Sequence, residues 1–405
     1  MVYPIAFINV FLSFFGLIRA YKKKHLIMFI WLILSYYSIT SLVALSTPEN
    51  LLFGQEVRMT YVVNMLLCIV GFLASDAIFN KNTMAEMNLD FMTDSLLNSF
   101  FITIEIVFWL SLLATFVELR TIDYNTYNTG NGAGWFQVLF QFTSCIIVRF
   151  MYKKQWLKIG IAALLLILIV SAVGVRSLMY FVLMPVGLYM LYYVIVKVDS
   201  LGKVLKVVLP MLLLAWISNY VVNMLRFSES RLPETELTTI SLTVMDRGGV
   251  FQQYFMSALH YLFGLLTPIL NALNKIGLGI PDPETFLFPS VPKLNALVTQ
   301  QVADVDALEN AAHMPGTIYH DLWYCWGDFA VVAAFFLYWY LLKVFSILQK
   351  NGLLFFCLSG VFGWHFYMLM RGSVDTCASG IAYSLLLSIL VFFYISKKYR
   401  FYGQS

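Results

Sequence analysis

The amino-acid sequence predicts an all-α polytopic membrane protein, with about eleven transmembrane helices and one long outer loop containing a re-entrant or interfacial helix. Three observations carry that prediction. Hydrophobic residues make up 60% of the chain and charged residues 12%, whereas soluble domains carry roughly a quarter charged. Eleven segments meet the requirement of about 17–25 largely apolar residues for a bilayer crossing. The Lys-rich connections between them then fall on one side, in the pattern that orients membrane helices.

In chain order the segments lie near 4–20, 26–46, 59–79, 95–119, 135–151, 157–174, 177–196, 204–225, 329–349, 353–370 and 377–396. The first has no charged n-region and no small-residue cleavage site, so it is expected to be retained as a helix. Segments six and seven form a hairpin, because 160–197 is too long for one crossing and holds only Gly174-Val175-Arg176 between its apolar halves. Residues 251–273 are also apolar enough to cross. A single crossing there would exchange the sides of every later connection, placing Lys350, Lys397 and Lys398 outside and Arg371 inside. A re-entrant or surface-lying segment broken near Gly264 and Pro268 fits better, since irregular backbone at membrane depth is tolerated where it lines a cavity. Residues 1–405 therefore read as one integral membrane domain, with 226–328 as its long outer loop.

With eleven crossings, the Lys-rich connections at Lys22–Lys24, Lys153–Lys158, Lys197–Lys206, Lys343–Lys350 and Lys397–Arg400 share one face, which is assigned as cytoplasmic. Of the 26 basic residues, 17 fall inside (14 Lys, with Arg19, Arg149 and Arg400) and 9 outside. Seven of those nine are arginine: Arg58, Arg120, Arg176, Arg226, Arg231, Arg247 and Arg371. Arginine offers a planar fork that binds phosphate oxygens bidentately, while lysine is a point charge suited to headgroups. An outer arginine can equally snorkel or pair with a carboxylate. Arg176 precedes the seventh segment and Arg371 ends the tenth, each held at the outer membrane face, where an ionisable group is costly without a partner or ligand.

Polar residues recur within the apolar segments. Gln137 with Gln141, and Asn219 with Asn223, lie one turn apart on single faces and read as interhelical hydrogen-bonding pairs. Glu105 is a mid-segment carboxylate with no cationic neighbour in sequence, open to a functional role or to a protonated, hydrogen-bonded one. The connection Asn80–Asp94 is acidic, against the trend of the other inner connections. The five cysteines are odd in number and mostly in apolar segments, with no disulfide framework or metal-ligand spacing.

No phosphate-cradling glycine loop, Gly-x-Ser-x-Gly elbow, His-Glu-x-x-His or paired acidic metal signature occurs. The outer face instead offers arginines and a loop bearing histidines. That set suits a reaction whose leaving group is already a diphosphate and whose nucleophile is a hydroxyl. Arginine would neutralise charge on the departing diphosphate, and a histidine or aspartate would accept the hydroxyl proton. His313, His320 and Asp321 converge at the end of the loop.

Four patches resemble the Wzy-type oligosaccharide repeat-unit (O-antigen) polymerases. They are Gly174-Val175-Arg176-Ser177 opening a helix, Asp246-Arg247-Gly248-Gly249 in the long loop, Pro315–Gly327 ahead of a membrane segment, and Met370-Arg371-Gly372. The resemblance implies a GT-C-like glycosyltransferase of a bacterial inner membrane, with its site facing the periplasm. It would transfer a growing glycan from undecaprenyl diphosphate to the non-reducing end of a lipid-linked repeat unit, without metal or nucleotide. Its expected partners are the lipid-linked oligosaccharide, the bilayer and a chain-length regulator, with no nucleic acid. Carried over by position, Arg176, Arg247 and Arg371 would hold the diphosphate, with Arg226 as a secondary candidate. The family often has a glutamate near the place of Asp321, so the shorter carboxylate is a departure. The related O-antigen ligases use a histidine in the corresponding loop, which makes His313 or His320 the expected base. Ligation to lipid A–core and transport of a lipid-linked oligosaccharide are the alternatives; the absence of a detectable internal repeat weighs against transport.

Overall fold

The computed structural model describes residues 2–46, 59–81, 86–120, 135–173, 177–198, 317–370 and 378–402, together with Leu51–Leu52, Gln55–Glu56 and positions 83 and 277. The segments expected at 204–225 and 251–273 lie outside these residues. Among the described residues there are twelve α-helices: α1 (Val2–Lys22), α2 (Met28–Ser46), α3 (Met59–Phe79), α4 (Asn98–Arg120), α5 (Trp135–Thr143), α6 (Ile146–Tyr152), α7 (Trp156–Val173), α8 (Ser177–Lys197), α9 (Ile318–Trp326), α10 (Ala330–Lys350), α11 (Gly352–Met370) and α12 (Ala378–Tyr402). A two-residue antiparallel ladder pairs β1 (Leu51–Leu52) with β2 (Gln55–Glu56). Val2–Lys22, Tyr61–Phe79, Ser95–Glu118 and Gly327–Lys350 are long and apolar enough to cross a membrane.

The α1 helix shows why this is a helical membrane protein. Its buried positions are Ala6, Asn9, Ser13, Gly16 and Ala20, a stripe at three- and four-residue spacing made of small or polar residues. Phe7, Phe11, Phe15 and Ile18 are exposed. Water would reverse that arrangement; lipid permits it, because close backbone approach rather than apolar burial drives helix association there.

The chain divides into two compact units. The first contains α1, α2, α3, α9 and most of α10. Its core joins the helices through polar side chains as well as rings. Asn9 donates to the Val62 carbonyl across 2.9 Å, and Gly16 lies so close to the Trp31 ring that a Cβ would meet it at 2.5 Å. Trp31 packs on Tyr338 with ring centroids 5.6 Å apart and edge-on to Phe72 at 6.5 Å.

The second contains α4 to α8, the first part of α11 and most of α12. Here the acidic connection before α4 packs into the unit: Met87, Leu89, Phe91 and Met92 are buried. Arg149, itself buried, donates to the Met92 carbonyl at 3.2 Å and to Asn98 Oδ1 at 3.1 Å, and its guanidinium stacks over Phe101 at 4.3 Å. The connection is thus held by packing and by the buried Arg149.

Two details differ from expectation. The fifth segment is broken at Ser144-Cys145, where Ile147 and Val148 bond back three residues to Ser144 and Cys145 and the Thr143 and Ser144 hydroxyls bond to carbonyls of the preceding turn, a pattern that bends helices. Glu105 is paired with Lys158 in an ion pair between α4 and α7, so it does have a cation, supplied 53 positions away in sequence.

The turn after α1 recurs after α6. Lys23 N–H bonds to the Arg19 carbonyl, Lys24 to Tyr21 and His25 to Ala20; Lys153 bonds to Arg149, Lys154 to Met151 and Gln155 to Phe150. Both are Schellman-type helix ends. Both place a lysine, Lys24 at φ 51° and Lys154 at φ 55°, in the left-handed region.

Candidate functional site

The described part of the site is the end of the long loop, where α9 docks on α3 within the first unit. Nine residues are too few to hold a helix by backbone bonding alone. Its position is therefore fixed by contacts. Thr317 occupies the N-cap position with extended backbone, yet its side chain makes no capping bond. The hydroxyl instead shares a hydrogen bond with the Tyr61 hydroxyl at 3.2 Å. One turn further along α3, Asn64 Nδ2 donates to the Tyr319 carbonyl at 2.6 Å. The Cys68 thiol approaches Asn64 Oδ1 at 3.7 Å, which fixes which end of the amide faces α9.

Tyr61, Asn64, Thr317, Tyr319 and Asp321 are all at most 3% exposed. Burial holds the Tyr319 phenol well above its ordinary pKa, so it stays neutral. Asp321 lies in the first turn of α9, its N–H bonded to the Thr317 carbonyl at 3.0 Å. His320 is the preceding residue of the same helix. Arg176, Arg226, Arg247, Arg371 and His313 lie outside the described residues. Of the predicted site, the structure therefore brings together His320 and Asp321 on one short helix. Among the described residues no group of three or more His, Cys, Asp or Glu is placed to hold a metal ion.

A second polar cluster was not anticipated from the sequence. Asp76, fully buried in α3, receives Arg19 Nε on Oδ2, and on Oδ1 both Asn80 Nδ2 at 2.8 Å and the Tyr338 hydroxyl at 2.9 Å. It joins α1, α3 and α10 and extends to α2 through Trp31. Every carboxylate oxygen has a donor, the condition under which a charge is tolerated away from water. The available signal was the carboxylate within the apolar segment 59–79. Tyr61 and Asn64 lie three residues apart on one face of the same segment, a spacing that does not by itself reveal a partner.

No protein-family model matches the chain, and no characterised protein or solved structure matches it.

Proposed function

We propose that the chain is an O-antigen polymerase, a membrane glycosyltransferase that moves a growing glycan from undecaprenyl diphosphate to the non-reducing end of a lipid-linked repeat unit at the periplasmic face. The observation that supports it is the docked helix α9, which carries His320 and Asp321 at the close of the long loop, directly before an apolar helix long enough to cross.

In this reading Arg176, Arg247 and Arg371, with Arg226, bind the donor diphosphate through bidentate contacts and neutralise it as it departs. His320 or His313, or Asp321, takes the proton of the attacking sugar hydroxyl. The glycosidic bond forms as the sugar–phosphate bond breaks, and undecaprenyl diphosphate leaves.

Deleting the gene and separating lipopolysaccharide by size tests this. A polymerase defect leaves lipid A–core capped by a single repeat unit. Bare lipid A–core would identify a ligase instead, and repeat units trapped on the cytoplasmic leaflet a transporter.

A further inference from the structure

We infer that Tyr61 and Asn64 are positioning residues that hold α9, and with it positions 320 and 321, in register for the transfer step; the inference rests on the polymerase reading. Each anchor fixes a different degree of freedom. The Tyr61–Thr317 hydrogen bond sets where the helix starts. The Asn64–Tyr319 bond, reaching a carbonyl in the first turn, sets how far the helix is rotated about its axis. A helix rotates about 100° per residue, so an error of one residue at this start would carry positions 320 and 321 to other faces.

The anchors cost local stability, which argues for a purpose. Threonine at an N-cap ordinarily satisfies an N–H of its own helix, and here that hydroxyl is committed to α3 instead. Asn64 puts an amide into an apolar segment, at the expense of burial, and directs its donor at a main-chain carbonyl whose position does not depend on side-chain identity. Both anchor residues sit in the first two turns of α3, a helix joined to α1 and α10 through Asp76. The helix that closes the loop thus ends on a rigid support, as a constellation needing sub-ångström placement requires.

The test uses the full-length protein in nanodiscs and has two readouts. Cys325, buried on α9, reports docking through its rate of maleimide labelling. Transfer between undecaprenyl-diphosphate-linked repeat units reports catalysis. Asn64→Leu and Thr317→Val keep the branching and heavy-atom count of the side chain but remove the anchors. Each is expected to raise Cys325 labelling and to lower kcat by about tenfold, the ratio one hydrogen bond supports, with KM for the donor within about twofold. Thr317→Ser, which keeps the hydroxyl, is expected to restore both. Tyr61→Phe keeps the ring and serves where the other variants fold poorly.

Unchanged labelling in Asn64→Leu overturns the anchor. Raised labelling with unchanged kcat overturns the positioning role. Absence of transfer by the wild-type protein instead defeats the polymerase reading and the catalytic role together, while labelling still decides the docking.

Discussion

The indole N–H of Trp31 donates to the Tyr338 hydroxyl across 2.7 Å, and that hydroxyl donates in turn to Asp76. One carboxylate therefore organises four helices of the first unit. Asp76→Ala removes the partner of Arg19 and, at the same time, the acceptor of two further donors, Asn80 Nδ2 and the Tyr338 hydroxyl. The expected cost is about 2–3 kcal/mol, below the usual range for a broken buried pair because the Arg19 side chain is 30% exposed. Tyr338→Phe is expected to cost about 2 kcal/mol, since it orphans the Trp31 N–H and one carboxylate site together. Thermal unfolding of the purified variants gives both values; a smaller loss for Asp76→Ala than for Tyr338→Phe would contradict the central place of the carboxylate.

His25 sits in the turn between α1 and α2, where its Nδ1 accepts the Ile27 N–H at 3.0 Å and its Nε2 lies 2.9 Å from Ser346 Oγ, whose hydroxyl bonds to the Leu342 carbonyl. Burial, reinforced by Lys23, lowers its pKa from 6.5 to about 4. The unfolded chain binds this proton below pH 6.5 and the folded chain resists it until about 4, so stability falls as pH drops through that window and levels off beneath it. The total is on the order of 3 kcal/mol. His25→Asn is expected to remove this component, read as a wild-type-minus-variant difference in melting temperature that falls as pH drops from 7 to 4.

Gly71 lets α3 and α10 touch, since a Cβ there would lie 2.4 Å from the Val331 carbonyl oxygen. Gly71→Ala gains about 1 kcal/mol of helix propensity and should nonetheless lower the melting temperature. Gly187, in α8, has nothing within 4 Å of an added Cβ. Gly187→Ala is expected to be neutral or stabilising. Equal effects of the two changes would mean the α3–α10 approach is looser than described.

Arg176→Lys, Arg247→Lys and Arg371→Lys keep charge and lose the fork. Each is expected to reduce glycan extension about 10²-fold, the effect of removing one donor to a developing anion. Survival of long-chain glycan in all three would rule out bidentate diphosphate binding, whatever the protein's folded yield.

Helices were legible because a bilayer imposes length and apolarity together: nine of the eleven expected segments each coincide with one described helix, the last of them running on to Tyr402, and a tenth, 135–151, with the pair α5 and α6. The break at Ser144-Cys145 was not, because back-bonded hydroxyls leave the hydropathy of the segment intact. Pairings were least legible of all. Glu105 and Lys158, or Arg19 and Asp76, meet only through tertiary packing, and nothing in the local pattern announces a partner more than fifty positions away. For the site, the sequence pointed to His320 and Asp321 on the segment before the membrane helix, and the structure places them on α9. Their supports, Tyr61 and Asn64, lie in a separate apolar segment whose polar residues carried no sign of what they would hold.

The paired turns at Lys24 and Lys154 have a consequence for biosynthesis. A lysine held at positive φ sacrifices backbone energy that glycine would spare, so each turn retains its charge at a cost. Arg19-x-x-x-Lys23-Lys24 ends α1 in one unit, and Arg149-x-x-x-Lys153-Lys154 ends α6 in the other. On the rule that basic residues orient membrane helices, each unit would carry its own orienting charge cluster, and the α6–α7 turn would not depend on α1 for its direction.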